Sequence, residues 1–222
     1  MANSQIKTVV FDLDGTLLDG FGTILEAYQL AAEKHDFPLP TEKDLRYQMS
    51  QAPPMHDIVR TFFPGADVAA VMDDMGKYVA ANATGYAKYE GLLEVLATLK
   101  AKNLTMAILT GGDHHVHELM RHHDIEHYFT SIVHCDRVNR SKPDPEGFLL
   151  AMDECGTVPS EAIMIGDSPT DIFAGKNAGV RYTIGITHGH GSRADLEAAD
   201  PDYVVGSLGE LSTLLDGLVR RQ

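Results

Sequence analysis

Short apolar runs that alternate with helically spaced stretches constrain this chain most. The runs are Val9–Phe11 with Ile6 ahead of them, Leu104–Leu109, Ser131–His134, Ala162–Ile165 and Val180–Ile184. Four of them stop at acidic or glycine-bearing turns: Asp12-Leu13-Asp14-Gly15, Thr110-Gly111-Gly112, Cys135-Asp136 and Gly166-Asp167. A brief apolar run closed by a turn is the pattern of a strand buried on both faces. Between the runs, Leu92, Leu96 and Leu99, then Val116, Leu119, Met120 and His123, then Phe148, Leu149 and Met152 recur at helical spacing. Strands alternating with helices predict βαβ units, hence an α/β fold with a Rossmann-like parallel sheet. Leu208, Leu211, Leu215 and Leu218 predict a closing helix.

Residues 20–85 break the alternation. Phe21, Ile24, Leu25 and Tyr28 trace one helical face, and Val68, Val71, Met72, Met75 and Val79 trace another. Pro38, Pro40, Pro53, Pro54 and Pro64 punctuate the stretch between them, which holds no strand pattern. The expectation is a small all-helical cap domain at 20–85, inserted after the first strand. It would hinge near Asp19-Gly20 and Gly85-Tyr86, with residues 1–19 and 86–222 forming the α/β core.

Composition excludes several classes of partner. Of 222 residues, 44% are hydrophobic and 23% charged, enough to build a core. Lysine plus arginine is 18 against 32 aspartate plus glutamate, a formal charge of −14. Such a surface repels nucleic acid and anionic membranes. No apolar window reaches membrane-spanning length, and the apolar run near the N-terminus ends at Asp12, too early for a signal peptide. Cys135 and Cys155 lie far apart and read as reduced thiols. The expectation is a soluble, cytoplasmic protein, monomeric or weakly dimeric.

Ligands of an open parallel sheet gather at the carboxyl ends of its strands. Asp12 and Asp14 fall there, two residues apart, suited to a nucleophile beside a proton donor or to a magnesium site. Thr110 offers a hydroxyl, followed by Gly111 and Gly112, whose bare backbone can cradle phosphate oxygens. Lys142 sits in Ser141-Lys142-Pro143-Asp144-Pro145, and Asp167 and Asp171 flank a strand-to-helix turn. Taken singly, each motif is also an ordinary turn or helix start. Together they put four acids on one edge, where repulsion calls for a cation.

DLDGTL, a threonine at a strand end, a KPDP lysine and GDSPTD, in that order, resemble the haloacid dehalogenase superfamily of phosphatases and phosphotransferases. The nearest subgroup in pattern is the phosphoglycolate phosphatases, bacterial pyrophosphatase relatives and β-phosphoglucomutases. The resemblance implies that Asp12 attacks phosphorus to form an aspartyl-phosphate, while Asp14 protonates the leaving oxygen and later activates water. It assigns Thr110 and Lys142 to the phosphoryl oxygens. It assigns Mg²⁺ to Asp12, the backbone carbonyl of Asp14, and Asp167, with Asp171 ordering them. The substrate expected is a small phosphorylated metabolite such as 2-phosphoglycolate, a sugar phosphate or pyrophosphate. A sugar phosphomutase and a non-catalytic phospho-aspartate switch are the alternatives; Asp14 argues against stored phosphate. Gly111 stands where the family often carries asparagine, which weakens any transfer of substrate identity.

In the cap, Ser50–Pro54 occupies the place of a specificity loop, and Arg46 and Arg60 are the guanidinium groups that could grip a substrate carboxylate. Seven of the 11 histidines lie between His114 and His134. His123 and His127, at i, i+4, could pair on zinc or nickel, though a solvated buffering helix is the plainer expectation. His188 and His190 carry no assigned role.

Overall fold

A computed structural model describes residues 5–50 and 55–220. The chain begins with β1 (Thr8–Phe11) and β2 (Leu18–Asp19), followed by helices α1 (Phe21–His35), α2 (Glu42–Ser50), α3 (Met55–Phe62) and α4 (Val68–Ala81). Then come β3 (Ala87–Lys88), α5 (Leu92–Ala101), β4 (Thr105–Leu109), α6 (Val116–His122), β5 (Ser131–Val133) and α7 (Glu146–Cys155). The chain closes with β6 (Ala162–Gly166), α8 (Pro169–Ala178), β7 (Tyr182–Ile186), α9 (Arg193–Ala198), β8 (Tyr203–Val205) and α10 (Leu208–Arg220).

Six strands form one parallel sheet in the order β5-β4-β1-β6-β7-β8. β1 is central: Phe11 registers with Ile108 of β4 on one side and Ile165 of β6 on the other. Its side chains alternate between two cores, as a period of two requires. Val9 and Phe11 join the larger cluster with Leu96, Met106 and Ile163. Val10 joins Ala107, Leu109, Phe148 and Met164 on the opposite face. Helices cover both faces, so these strands show no polar side. The chain leaves β1 for β4 and β5, then returns to β6 on the other flank. That reversal opens a crevice beyond the carboxyl ends of β1, β4 and β6.

The fifth predicted strand runs Tyr182–Ile186, two residues later than the apolar run at Val180 implies. Gly179 ends α8 in the left-handed conformation and Val180 N–H donates to Gly175 O, so the cap of α8 consumes that position. β2, β3, β8 and α9 had no sequence signal, being too short to establish a period.

All described residues between β2 and β3 are helical or irregular. α1 buries Phe21, Ile24, Ala27, Tyr28 and Ala31, and packs along α4, which buries Val71 and Met75. Asp36 ends α1 in the left-handed region, where a short polar side chain is tolerated. The chain leaves for and returns from these helices through β2 and β3, paired antiparallel. Gly20 lies against Tyr86: a Cβ there would stand 1.9 Å from the ring. Residues 51–54, most of the expected specificity loop, lie outside the described residues. No helix among the described residues is long and apolar enough to cross a membrane.

Candidate active site

Asp12 is held where β1 ends. Its N–H donates to Ile165 O at 2.9 Å, so pairing with β6 sets its backbone. Its carboxylate accepts from Lys142 Nζ through Oδ1 at 2.6 Å and from Thr16 Oγ1 through Oδ2 at 3.4 Å. Lys142 also donates to Asp171 Oδ1 at 2.6 Å and to Leu109 O at 3.1 Å. One ammonium thus spends its three protons on two acids and the end of β4. Burial pulls the Lys142 pKa down, but Asp12 and Asp171 override it and hold the ammonium well above its usual range.

Asp171 faces this lysine because it also caps α8. Its Oδ2 accepts from Ser168 N at 3.0 Å and Ser168 Oγ at 2.7 Å, a capping box opened by Pro169. Asp167 accepts from His190 N through Oδ2 at 2.6 Å. Backbone closes around it: Cβ atoms at Gly15 and Gly189 would stand 2.3 and 2.2 Å from Asp167 Oδ2. Burial, then Asp171, raises the Asp167 carboxyl to about 7. Burial raises Asp12 well above the usual carboxylate range against the pull of Lys142, with Asp171 and Asp167 adding to the rise.

Asp14 stands on the far side of the crevice. Its Oδ1 is buried without a hydrogen bond, while Tyr86 hydrogen-bonds the carboxyl. Burial raises its pKa, opposed by His190 and the Tyr86 bond, so the group is poised to carry a proton. Thr110 is buried at the end of β4, its Oγ1 accepting from Gly112 N at 3.1 Å.

The donor set fits a hard divalent cation. Oxygens of Asp12, Asp167 and Asp171 lie within 4.8 Å of one another, all buried, against the single ammonium of Lys142. Both oxygens of Asp171 are engaged by Lys142 and Ser168, which casts it as the residue that orients rather than the one that ligates first.

Two cavities meet over Asp14. One, of about 100 Å³, is lined by Asp12, Thr110, Gly111, Lys142, Asp167 and His190, among others. The other, of about 80 Å³, lies under α1 and α4, with Ile24, Ala27, Met72, Met75 and Val79 in its walls; Asp14, Met55 and Gly112 border both. Sequence reasoning missed Met55 and read Tyr86 only as a hinge position; both line these spaces, and nothing local marks them for the site. It also left His188 and His190 without a role. His188 stacks on Tyr89 with ring centroids 3.7 Å apart and pairs with Thr16 O, which ties the glycine-rich loop to the DLDGT turn.

Arg46 and Arg60, expected to grip a substrate carboxylate, line neither cavity. Arg46 donates to Glu42 Oε1 at 2.8 Å and lies over the Phe21 ring, 3.7 Å from its centroid. Arg60 pairs with Asp57 at 2.6 Å, one turn back. Neighbours along the helix and a nearby ring capture both. The His123–His127 pair on one helix is likewise corrected. α6 ends at His122, His123 Nε2 meets Ala83 O at 3.2 Å, and His127 lies in a separate turn facing Asp124.

A sequence profile of the haloacid dehalogenase-like hydrolases matches residues 9–184. A phosphoglycolate phosphatase of Vibrio parahaemolyticus is 28% identical over 221 residues, covering 95% of this chain and 96% of its own. The pyrophosphatase PpaX of Bacillus velezensis is 30% identical over 216 residues, covering 95% and 97%. The crystal structure of CbbY from Rhodobacter sphaeroides in complex with phosphate matches the fold at a TM-score of 0.83 and 22% identity, covering 93% of this chain and 96% of that one. Parallel sheet, strand-end acids and matching profile agree: the chain belongs to the haloacid dehalogenase-like hydrolase family.

Proposed function

We propose that the chain is a Mg²⁺-dependent phosphomonoester hydrolase working through an aspartyl-phosphate on Asp12. The observation that carries this reading is the Asp12–Lys142–Asp171 chain of contacts beside the unpartnered Oδ1 of Asp14. Asp12 and Asp167, with Asp171 behind them, would hold the ion, together with the Asp14 carbonyl. Bound there, Mg²⁺ would neutralise charge on the phosphoryl oxygens.

Lys142 aims Asp12 and opposes the rise that burial imposes on its pKa, and its ammonium offers charge to the phosphoryl group. The Thr110 hydroxyl and the Gly111 backbone supply donors for the remaining oxygens, while Gly112 N–H holds Thr110 Oγ1 in place. An Asp12 oxygen bonds phosphorus as the bond to the leaving oxygen breaks, and Asp14 gives that oxygen its proton. Water then attacks the aspartyl-phosphate, Asp14 takes the water's proton, and phosphate leaves with Asp12 restored. Helices α1–α4, the 20–85 segment, form a cap over Asp14 that excludes bulk water.

The substrate class follows from the second cavity. Relatives named for phosphoglycolate or pyrophosphate handle anionic leaving groups, whereas the space beyond Asp14 is walled mostly by methionine and aliphatic side chains, with Tyr86, Asp113 and His115 among them. Among the described residues, no lysine or arginine lines it. A small monoester with an apolar body beyond the scissile oxygen suits it better than a second anion.

Phosphate release from a panel of monoesters, with and without Mg²⁺, tests both parts. Release should need Mg²⁺ and fall below about a tenth of wild type in Asp12→Asn, whose amide is a poor nucleophile. Asp14→Asn should slow turnover by about 10²- to 10⁴-fold. Turnover retained in Asp12→Asn would sink the covalent mechanism. A preference for 2-phosphoglycolate or pyrophosphate over apolar esters would overturn the substrate class alone.

A further inference from the structure

His114 and His115, just ahead of α6, meet Asp73 of α4. One nitrogen of each imidazole and one carboxylate oxygen of Asp73 lie within 4.8 Å of one another. This group shares no residue with the Asp12, Asp167 and Asp171 centre, the other such cluster among the described residues. Each imidazole has a carboxylate behind it. His114 Nδ1 is 2.9 Å from Asp136 Oδ2, and His115 Nδ1 is 3.0 Å from Asp113 Oδ1. A carboxylate on Nδ1 keeps the proton there and leaves the lone pair on Nε2, the arrangement that orients metal-binding histidines and makes them more basic. The two rings lie side by side, centroids 4.1 Å apart.

Gly76 lets α4 come this near. A Cβ there would stand 2.3 Å from Asp113 Oδ2 and 2.6 Å from His115 Nδ1. The helix is therefore seated on the His115–Asp113 pair, three residues along from Asp73.

We infer that Asp73, His114 and His115 form a binding site for a divalent transition ion of the zinc, cobalt or nickel type, cross-linking α4 to the loop between β4 and α6. Two imidazoles and one carboxylate suit such an ion, whereas Mg²⁺ prefers oxygen alone and competes poorly. The His114 side chain is 60% exposed, so an ion can reach the site and keep water in its open positions. Asp73 also pairs with the exposed Lys77 one turn on, a contact the ion replaces. A bound ion opposes separation of α4 from the sheet domain. The site does not depend on the hydrolase reading.

Zn²⁺ affinity, measured on the full chain by competition with a chromophoric chelator under excess Mg²⁺, tests it. The proteins compared are wild type, His114→Ala, Asp73→Ala, Asp136→Asn and Asp12→Asn, each checked for folding by circular dichroism. One Zn²⁺ per chain is expected, unaffected by Asp12→Asn. Affinity should fall about 10- to 100-fold in Asp136→Asn, which removes the charge behind His114 while leaving all three ligands in place, and at least that much in His114→Ala and Asp73→Ala. Co²⁺ should give visible d–d bands that His114→Ala removes. Zn²⁺ binding lost in Asp12→Asn but kept in His114→Ala would overturn the inference. So would wild type that fails to compete with a weak chelator at all.

Discussion

Burial, more than any neighbour, raises the Asp167 carboxyl, to about 7 from an ordinary 3.8. Its folded pKa lies above its unfolded one, so ionising it costs stability as pH climbs from about 4 to about 7, and the cost is fully present above that window. In metal-free protein, Asp167→Asn should therefore raise the melting midpoint relative to wild type at pH 8, with the gap closing toward pH 4. A gap that widens on acidification would mean the charge is already compensated. Lys142 sits on the other side of this balance. Lys142→Ala leaves Asp12 and Asp171 buried without their cation, so both turnover and stability should fall, the latter by about 3–5 kcal/mol as for other broken buried pairs. Denaturation in urea without Mg²⁺ measures it; an unchanged midpoint would refute the structural half. The acids and the lysine were legible from their motifs. That His190 and the glycines of its loop enclose Asp167 was not, because positions far apart in the chain meet there.

At the level of elements, α4 starts on Asp67, whose Oδ1 accepts from Ala69 N at 3.0 Å and Ala70 N at 3.3 Å. Asp67→Ala should cost about 1 kcal/mol in thermal or urea unfolding, the usual worth of such a cap. No loss would show that packing on α1 alone holds the helix. β5 is tied to α7 through Glu154, which accepts from Ser131 Oγ at 2.6 Å and pairs with Arg137. Arg137, then Ser131, holds the Glu154 pKa below its usual value against partial burial. A lowered folded pKa gives stability above the unfolded value that is lost as pH falls through the folded one. Glu154→Gln should thus lower the melting midpoint at pH 7 and match wild type in acid. A constant difference across pH would assign the effect to packing. Helical stripes foretold α1 and α4 from residues such as Tyr28 and Met75. The stripes carry no information on where Arg46 points, since Phe21 and Glu42 decide that.

Across the molecule, a formal charge of −14 leaves the folded state repelling itself. Raising ionic strength from about 0.01 M to about 0.15 M shortens the screening length from about 30 to about 8 Å, so the melting midpoint should rise with added NaCl. A midpoint that falls would show that surface ion pairs outweigh the repulsion. The alternation of buried strands and helices, the interruption at 20–85 and the order of the strand-end motifs are local patterns, each readable within a few residues. They suffice for the fold class, the family and the acidic centre, because strand burial and turn chemistry act over short stretches of chain. Only the tertiary arrangement could show the apolar space beyond Asp14, which α1, α4 and the segment after β4 build together. The meeting of Asp73 with His114 and His115 has the same origin. Such sites depend on which side chains converge from separate elements, and that is decided by packing rather than by spacing along the chain.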